Sequence, residues 1–324
     1  SDVARRYPID AVHFDDYFYP YRIQGQNFPD SSSFRQYNRL SMSLDDWRRS
    51  NTDAFIRQMR DSLLAIREGL KFGISPFGVW RNRDRDPQGS DSRAGVTSYD
   101  DLYADIRKWL RLGWIDYVIP QLYFSIGYPP ADYARLLDWW AANSFGRHLY
   151  IGHSPYKLAG DPNDRNWENP AQISEQIRLL RARQEVQGSA FFSAKWFAQN
   201  PQGWAAALSS SLYRYPALPP VMGWLPGAPP SSPWVRRQPG SGGKAFSWEA
   251  VPGAAYYVVY RSEGKHAPEV KPETWAALLR DGSTSFTDLQ GGRFRRYSYR
   301  VQAFDALHHA GEASEALTLR RWKH

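Results

Sequence analysis

An α/β domain of repeated strand-helix units, followed by a smaller all-β sandwich, is the fold this sequence predicts. Up to about residue 215, short apolar strand segments alternate with amphipathic helical segments, the order that produces a parallel sheet. Residues 216–243 then turn rich in Pro, Gly and Ser (PALPPVMGWLPGAPPSSPW, RRQPGSGGK), which marks a linker. From 244 to 324 strand signals follow one another without helices. A length of 324 residues suits one large domain plus a small one.

Residues 1–7 (SDVARRY) read as the tail of a helix, and 9–15 as a strand. The segment 43–67 (SLDDWRRSNTDAFIRQMRDSLLAIR) has the apolar spacing of a helix, and 71–75 is the next strand. A polar loop through Arg81, Asp84 and Gly89 leads to a helix over 98–112, where Ser98 and Asp101 resemble a capping box. Strands follow at 116–123 (DYVIPQLY), 148–153 and 188–193, and helices at 130–143, 170–183 and 201–213. Five strands are legible, and a closed parallel barrel needs eight. The expectation is a partial TIM (β/α)8 barrel, with Ser1 inside the domain and roughly three βα units upstream of it. An open five-stranded sheet is the competing arrangement. Beyond the linker, strands are expected at 246–248, 256–261 (YYVVYR), 284–287 and 297–304 (YSYRVQAF), where Tyr297, Tyr299, Val301 and Ala303 alternate onto one face. The spacing of Trp248 and the two long strands resembles a fibronectin type III sandwich. Such modules act as spacers or packing partners, so no chemistry is assigned to this one.

Composition narrows the chemistry. With no Cys, disulfides, thiolate metal sites and a Cys nucleophile are excluded together, while the compartment is left open. The net charge of +8 suits an anionic partner. The basic residues are mostly Arg scattered among acids, without the block that tracks phosphates, which argues against nucleic acid. No apolar run is long enough to cross a membrane. Aromatics make up 15%, with 14 Trp and 20 Tyr. Their faces stack on the C–H patches of sugars, although aromatics also build ordinary cores.

The chemistry is expected where the strands of the first domain end. Segment 10–20 (DAVHFDDYFYP) places Ala11, His13 and Asp15 on one strand face and the oily Val12 and Phe14 on the other. This first junction offers His13, Asp15, Asp16, Tyr17 and Tyr19. The second offers Ser75, Trp80 and Arg81, whose guanidinium can grip a carboxylate with two prongs. Gln121 and Tyr123 stand at the third, and Tyr150, His153, Tyr156 and Lys157 at the fourth. Lys195, Trp196 and Phe197 stand at the fifth. Any one of these fits simple packing; their recurrence at every junction favours a site.

Glycoside hydrolysis usually needs two carboxyls, about 5 Å apart for retention and wider for inversion. Asp15 leads as acid or nucleophile. Asp16 is the other catalytic candidate, equally placed to hold Arg81 or a backbone amide. Neighbours on a strand diverge, so a partner carboxyl is also expected upstream of Ser1. Asp116 begins its strand and faces the opposite end. A lone His13-x-Asp15 is a weak metal signal, and a hydrogen-bonded His is favoured over a ligand. No metal and no cofactor are expected.

The motifs HFDDYFYP, GISPFGVWRN, YDDLYADIRKWLRLGWIDYVIPQLY and YIGHSPYK together resemble the bacterial glycosyl-hydrolase-like family ten, over about residues 3–215. The resemblance implies a (βα)8 barrel, often followed by a fibronectin-like domain, on secreted or outer-membrane lipoproteins of the cell envelope. It implies glycosidases that cleave peptidoglycan strands stripped of their peptides. It maps the HFDDY motif onto His13, Asp15, Asp16 and Tyr17, and PQLY onto Gln121 and Tyr123. The family's first three strands have no counterpart here. A muramic carboxylate meeting Arg81 or Lys157 accounts for the basic charge in this reading. The alternatives are a non-catalytic glycan-binding envelope protein and a scaffold led by the second domain.

Overall fold

A computed structural model describes residues 2–238, 244–292 and 295–320. Residues 239–243 of the expected linker therefore lie outside the described residues, as do a short piece and the end of the expected second domain. The chain divides into two compact units, Ser1–Arg214 and Tyr215–His324.

In the first unit a short helix α1 (Asp2–Arg6) leads into β1 (Ala11–Phe14), then α2 (Ser31–Tyr37), α3 (Leu44–Leu64) and β2 (Lys71–Ile74). They are followed by α4 (Ile106–Arg111), β3 (Tyr117–Val118), α5 (Tyr133–Ala142), β4 (His148–His153) and α6 (Gln172–Arg181). β5 (Val186–Phe191), α7 (Lys195–Gln199) and α8 (Trp204–Ser210) complete the unit. The five strands pair in sequence order, all parallel, as one sheet. Each crossover carries the helices to one face. On that face Phe14, Phe72, Ile74, Val118, Leu149 and Ile151 join a single apolar cluster with Trp109, Tyr133 and Trp140. Phe14 stacks on Phe55 of α3 at 5.8 Å and meets Phe72 edge-on at 5.3 Å. Alternation alone assigns these side chains to the helix layer and leaves His13, Gly73, Tyr117 and Tyr150 on the opposite face.

Helix α3 starts where its chemistry dictates. The Ser43 side chain accepts from the Asp46 amide at 3.1 Å, and Asp45 and Asp46 sit in the positive first turn. Trp47, Thr52, Ile56 and Leu63 form its buried stripe. The next helix departs from expectation: α4 begins at Ile106, capped by Asp105, instead of at 98. The capping box exists one residue earlier. The Thr97 amide donates to Asp101 at 2.8 Å and the Asp100 amide donates to Thr97 Oγ1 at 3.2 Å. Tyr103, at φ +53°, then breaks the turn before a helix can propagate. The 201–213 helix is also shorter than expected, because Asn200, Gln202 and Gly203 all have positive φ ahead of α8.

The second unit holds a three-stranded sheet of β6 (Val235–Arg237), β7 (Ala245–Trp248) and β10 (Ser285–Thr287), in the order β10-β7-β6. A four-stranded sheet, ordered β12-β11-β8-β9, contains β8 (Tyr256–Glu263), β9 (Trp275–Leu279), β11 (Arg296–Phe304) and β12 (Leu317–Arg320). Both are antiparallel. Phe246 and Trp248 of one sheet share a cluster with Tyr257, Val259, Tyr299, Val301 and Ala303 of the other. Strands β6, β9 and β12 escape the sequence pattern because they are short or only half-buried. Among the described residues no helix is long and apolar enough to cross a membrane.

Candidate active site

The sheet face away from the helices is built around a missing side chain. A Cβ at Gly73 would lie 2.1 Å from the Tyr117 ring, so only glycine lets Tyr117 lie flat across β2. Tyr117 in turn stacks on His13 at 5.6 Å and meets Tyr150 edge-on at 6.0 Å. His13 Nδ1 stands 3.2 Å from the Tyr117 hydroxyl. Desolvation lowers the His13 pKa, and the Asp15 charge pulls the other way.

Past the end of β1 the two adjacent carboxyls enter different surroundings. Asp15 is exposed and accepts from Gln121 Nε2 at 2.7 Å and from the Asp16 amide at 2.8 Å. Gln121 Nε2 also donates to the Ser75 carbonyl at 3.0 Å, so one amide ties the ends of three strands together. Gly78 allows this: a Cβ there would lie 2.4 Å from the Gln121 carbonyl oxygen. Asp16 is only 4% exposed and accepts from the Tyr21 hydroxyl. Burial raises its pKa, and the Asp15 charge and a hydrogen bond with Asp15 add to the rise, while the Tyr21 donor opposes it. Of the two neighbouring carboxyls, Asp16 is thus the one whose protonated form is favoured.

Beside them stands an aromatic platform drawn from three strand ends. Tyr123 stacks on Phe192 at 6.2 Å and meets Tyr156 at 6.3 Å. Tyr156 reaches Phe192 at 6.4 Å and Trp196 at 6.1 Å. Burial raises the Tyr123 pKa, and the charges of Asp15 and Asp16 raise it further, which places this ring beside the carboxyls. Phe192 and Tyr21 are absent from the expected set. Phe192 had a signal, being the first residue past β5 and opposite in parity to the core residue Phe191. Tyr21 had none beyond following the acidic motif.

Other expected residues stand outside that stacked platform. Tyr17 is 76% exposed, on the loop after Asp16. Tyr19 packs between Phe28 and Tyr103, at 5.2 and 5.0 Å, under Arg48, whose guanidinium pairs with buried Asp30 at 2.7 Å. Trp80 is buried, stacks on Trp139 at 5.7 Å and donates to Asp105. Arg81 is held by Asp100 at 2.9 Å and Asp86 at 3.1 Å, so Asp16 does not hold it. Lys157 pairs with Asp161 at 2.9 Å. His153 is fully buried between Gln176 and Ser189, with its pKa lowered by burial to about 4. It stands three residues from Tyr150, and an odd spacing on a strand puts it on the helix face. Phe197 packs on Trp204 at 4.6 Å.

A cavity of about 450 Å³ adjoins the carboxyls, lined by Tyr19, Tyr21, Phe28, Arg48 and Tyr103 among others. The Tyr21 side chain is the wall it shares with Asp16. Among the described residues no group of three or more His, Cys, Asp or Glu gathers to hold a metal.

The family model described as glycosyl hydrolase-like 10 matches residues 1–169, just over half of the chain. "Glycosyl hydrolase YngK" of Bacillus subtilis (strain 168) is 42% identical over 330 residues, covering 98% of this chain and 64% of that protein. "Glycosyl hydrolase DigH" of Escherichia coli (strain K12) is 39% identical over 199 residues, covering 59% of this chain and 45% of that protein. The chain therefore spans about half to two thirds of the length of these relatives. Among solved structures, a Fn3-like protein from Clostridium thermocellum is 26% identical over 30% of this chain and 95% of that one. The TM-score of that match is 0.23. With more than half of its length matched by one family model, the chain belongs to the glycosyl hydrolase-like 10 family.

Proposed function

We propose that the protein carrying this chain is a glycoside hydrolase that cuts bacterial cell-wall glycan, namely peptidoglycan strands lacking stem peptides. In this reading the five parallel strands belong to a (β/α)8 barrel, and 244–324 forms a fibronectin type III-like sandwich joined through the 216–243 linker. The protein works outside the cytoplasm, in the periplasm or at the outer membrane, and touches the membrane only through a lipid anchor. The observation that carries the proposal is the split carboxyl pair beside the aromatic platform. Asp16 is buried and inclined to hold a proton, while Asp15 is exposed and oriented by Gln121. Asp15, exposed at the strand end, meets the glycosidic bond as acid or nucleophile, with buried Asp16 beside it as the second carboxyl and water taking up the released sugar carbon. Tyr123, Tyr156, Phe192 and Trp196 give the sugar rings their stacking surface.

Asp15→Asn and Asp16→Asn in the full-length protein test this directly. Each is expected to lower cleavage of peptide-free glycan strands by about 10²- to 10⁴-fold with the fold intact by circular dichroism. Undiminished cleavage by Asp15→Asn would sink the assignment. Undiminished strand binding with no cleavage by the unaltered protein would make it a glycan-binding protein instead.

A further inference from the structure

We propose that Lys195 reads a carboxylate on the glycan, so that the platform selects an acidic sugar beside the bond that is cut. The inference rests on the reading above for the ligand being a glycan, but its charge preference stands on separate observations. Arg81, Lys157 and Lys195 are cations that follow the second, fourth and fifth strands. The first two are already engaged. Arg81 is clamped by two carboxylates and lies over the Tyr99 ring at 4.6 Å. Lys157 is paired with Asp161 and mostly covered, its side chain 21% exposed. A cation already paired must give up that partner before it accepts another, and the exchange gains little.

Lys195 differs in each respect. It is exposed and carries no ion pair among the described residues. Its ammonium lies 4.9 Å from the centre of the Trp196 ring. That ring is 6.1 Å from Tyr156, which in turn adjoins Tyr123 and Phe192. A cation over a half-buried aromatic ring is held weakly, so it remains available to an anion. A sugar seated on Tyr123, Tyr156 and Phe192 would present a ring substituent toward Trp196 and this ammonium. Asp15 and Asp16 would repel an anion from the opposite end of the platform, which fixes the direction in which an acidic sugar lies. Charge at both ends thus orients the chain across the site.

The test uses two probes with one backbone: peptide-free peptidoglycan strands with free lactyl carboxylates, and the same strands with those carboxylates converted to methylamides. In the full-length protein the ratio of kcat/KM for native over amidated strands is expected to be about tenfold. Lys195→Gln should bring that ratio close to one, Lys195→Arg should restore most of it, and added salt should narrow it only when the cation is present. Equal losses on both strands in Lys195→Gln would overturn the inference, as would an unaltered protein that shows no preference. If the unaltered protein cleaves neither strand, the hydrolase reading fails by itself. The same ratio, read from Kd by calorimetry for the unaltered protein and Lys195→Gln, then decides the charge preference.

Discussion

Asp16 sits between opposing influences: burial and Asp15 favour its protonated form, while the Tyr21 hydroxyl favours the carboxylate. The native state therefore holds this proton to higher pH than the unfolded chain does. Asp16 accordingly makes folding less favourable as pH rises from the ordinary carboxylate range through its raised native value. Removing Tyr21's hydroxyl removes an influence that lowers the pKa. Tyr21→Phe is thus expected to shift the alkaline limb of the kcat/KM profile to higher pH, with the acid limb in place. A limb that stays fixed or moves down refutes the part given to Asp16 in the profile. Residue-scale legibility was uneven. His13 and Asp15 were legible from strand parity, whereas His153, expected at the site beside Tyr150, is buried on the helix face. The partners of Arg81 were not, because Asp86 and Asp100 reach it through a loop whose path no local pattern dictates.

At the scale of elements, strands β1 to β5 hold the site by what they omit as much as by what they carry. Gly73 leaves room for Tyr117, and Tyr117 supports His13 next to the carboxyls. Gly73→Ala places a methyl group inside the Tyr117 ring, so the tyrosine or β2 must shift. Such overpacking is expected to cost about 1–3 kcal/mol in urea unfolding, and Tyr117→Ala in the same chain should recover at least half. No recovery would show that the clash is not the cause. The long α3 was expected over 43–67 and spans Leu44–Leu64, since its apolar stripe is local. The start of α4 was not, because Tyr103 leaves the helical region to meet Arg48 and Tyr19. That buried network joins segments far apart in the chain, and its pull outweighs the helix propensity of 98–105.

For the molecule as a whole, each unit has its own apolar cluster: one is built from residues before 214 and the others from residues after it. Units with separate cores fold separately. Removing 215–324 from the full-length protein is therefore expected to leave glycan cleavage within about twofold. Loss of activity, with the first unit still folded by circular dichroism, would move function to the second unit and favour a scaffold. The succession of five strands in the first unit and the carboxyl-bearing end of β1 were legible in the sequence alone. They rest on periodicity and composition, which act between neighbours. Tertiary structure alone decided that Trp80, Arg81, Lys157 and Tyr19 are committed to other partners, that Phe192 stacks on Tyr123 and Tyr21 bonds Asp16, and that Asp16 is the buried member of the pair. Those outcomes depend on which distant side chain arrives first within hydrogen-bond or van der Waals reach, and that is settled only when the chain closes on itself.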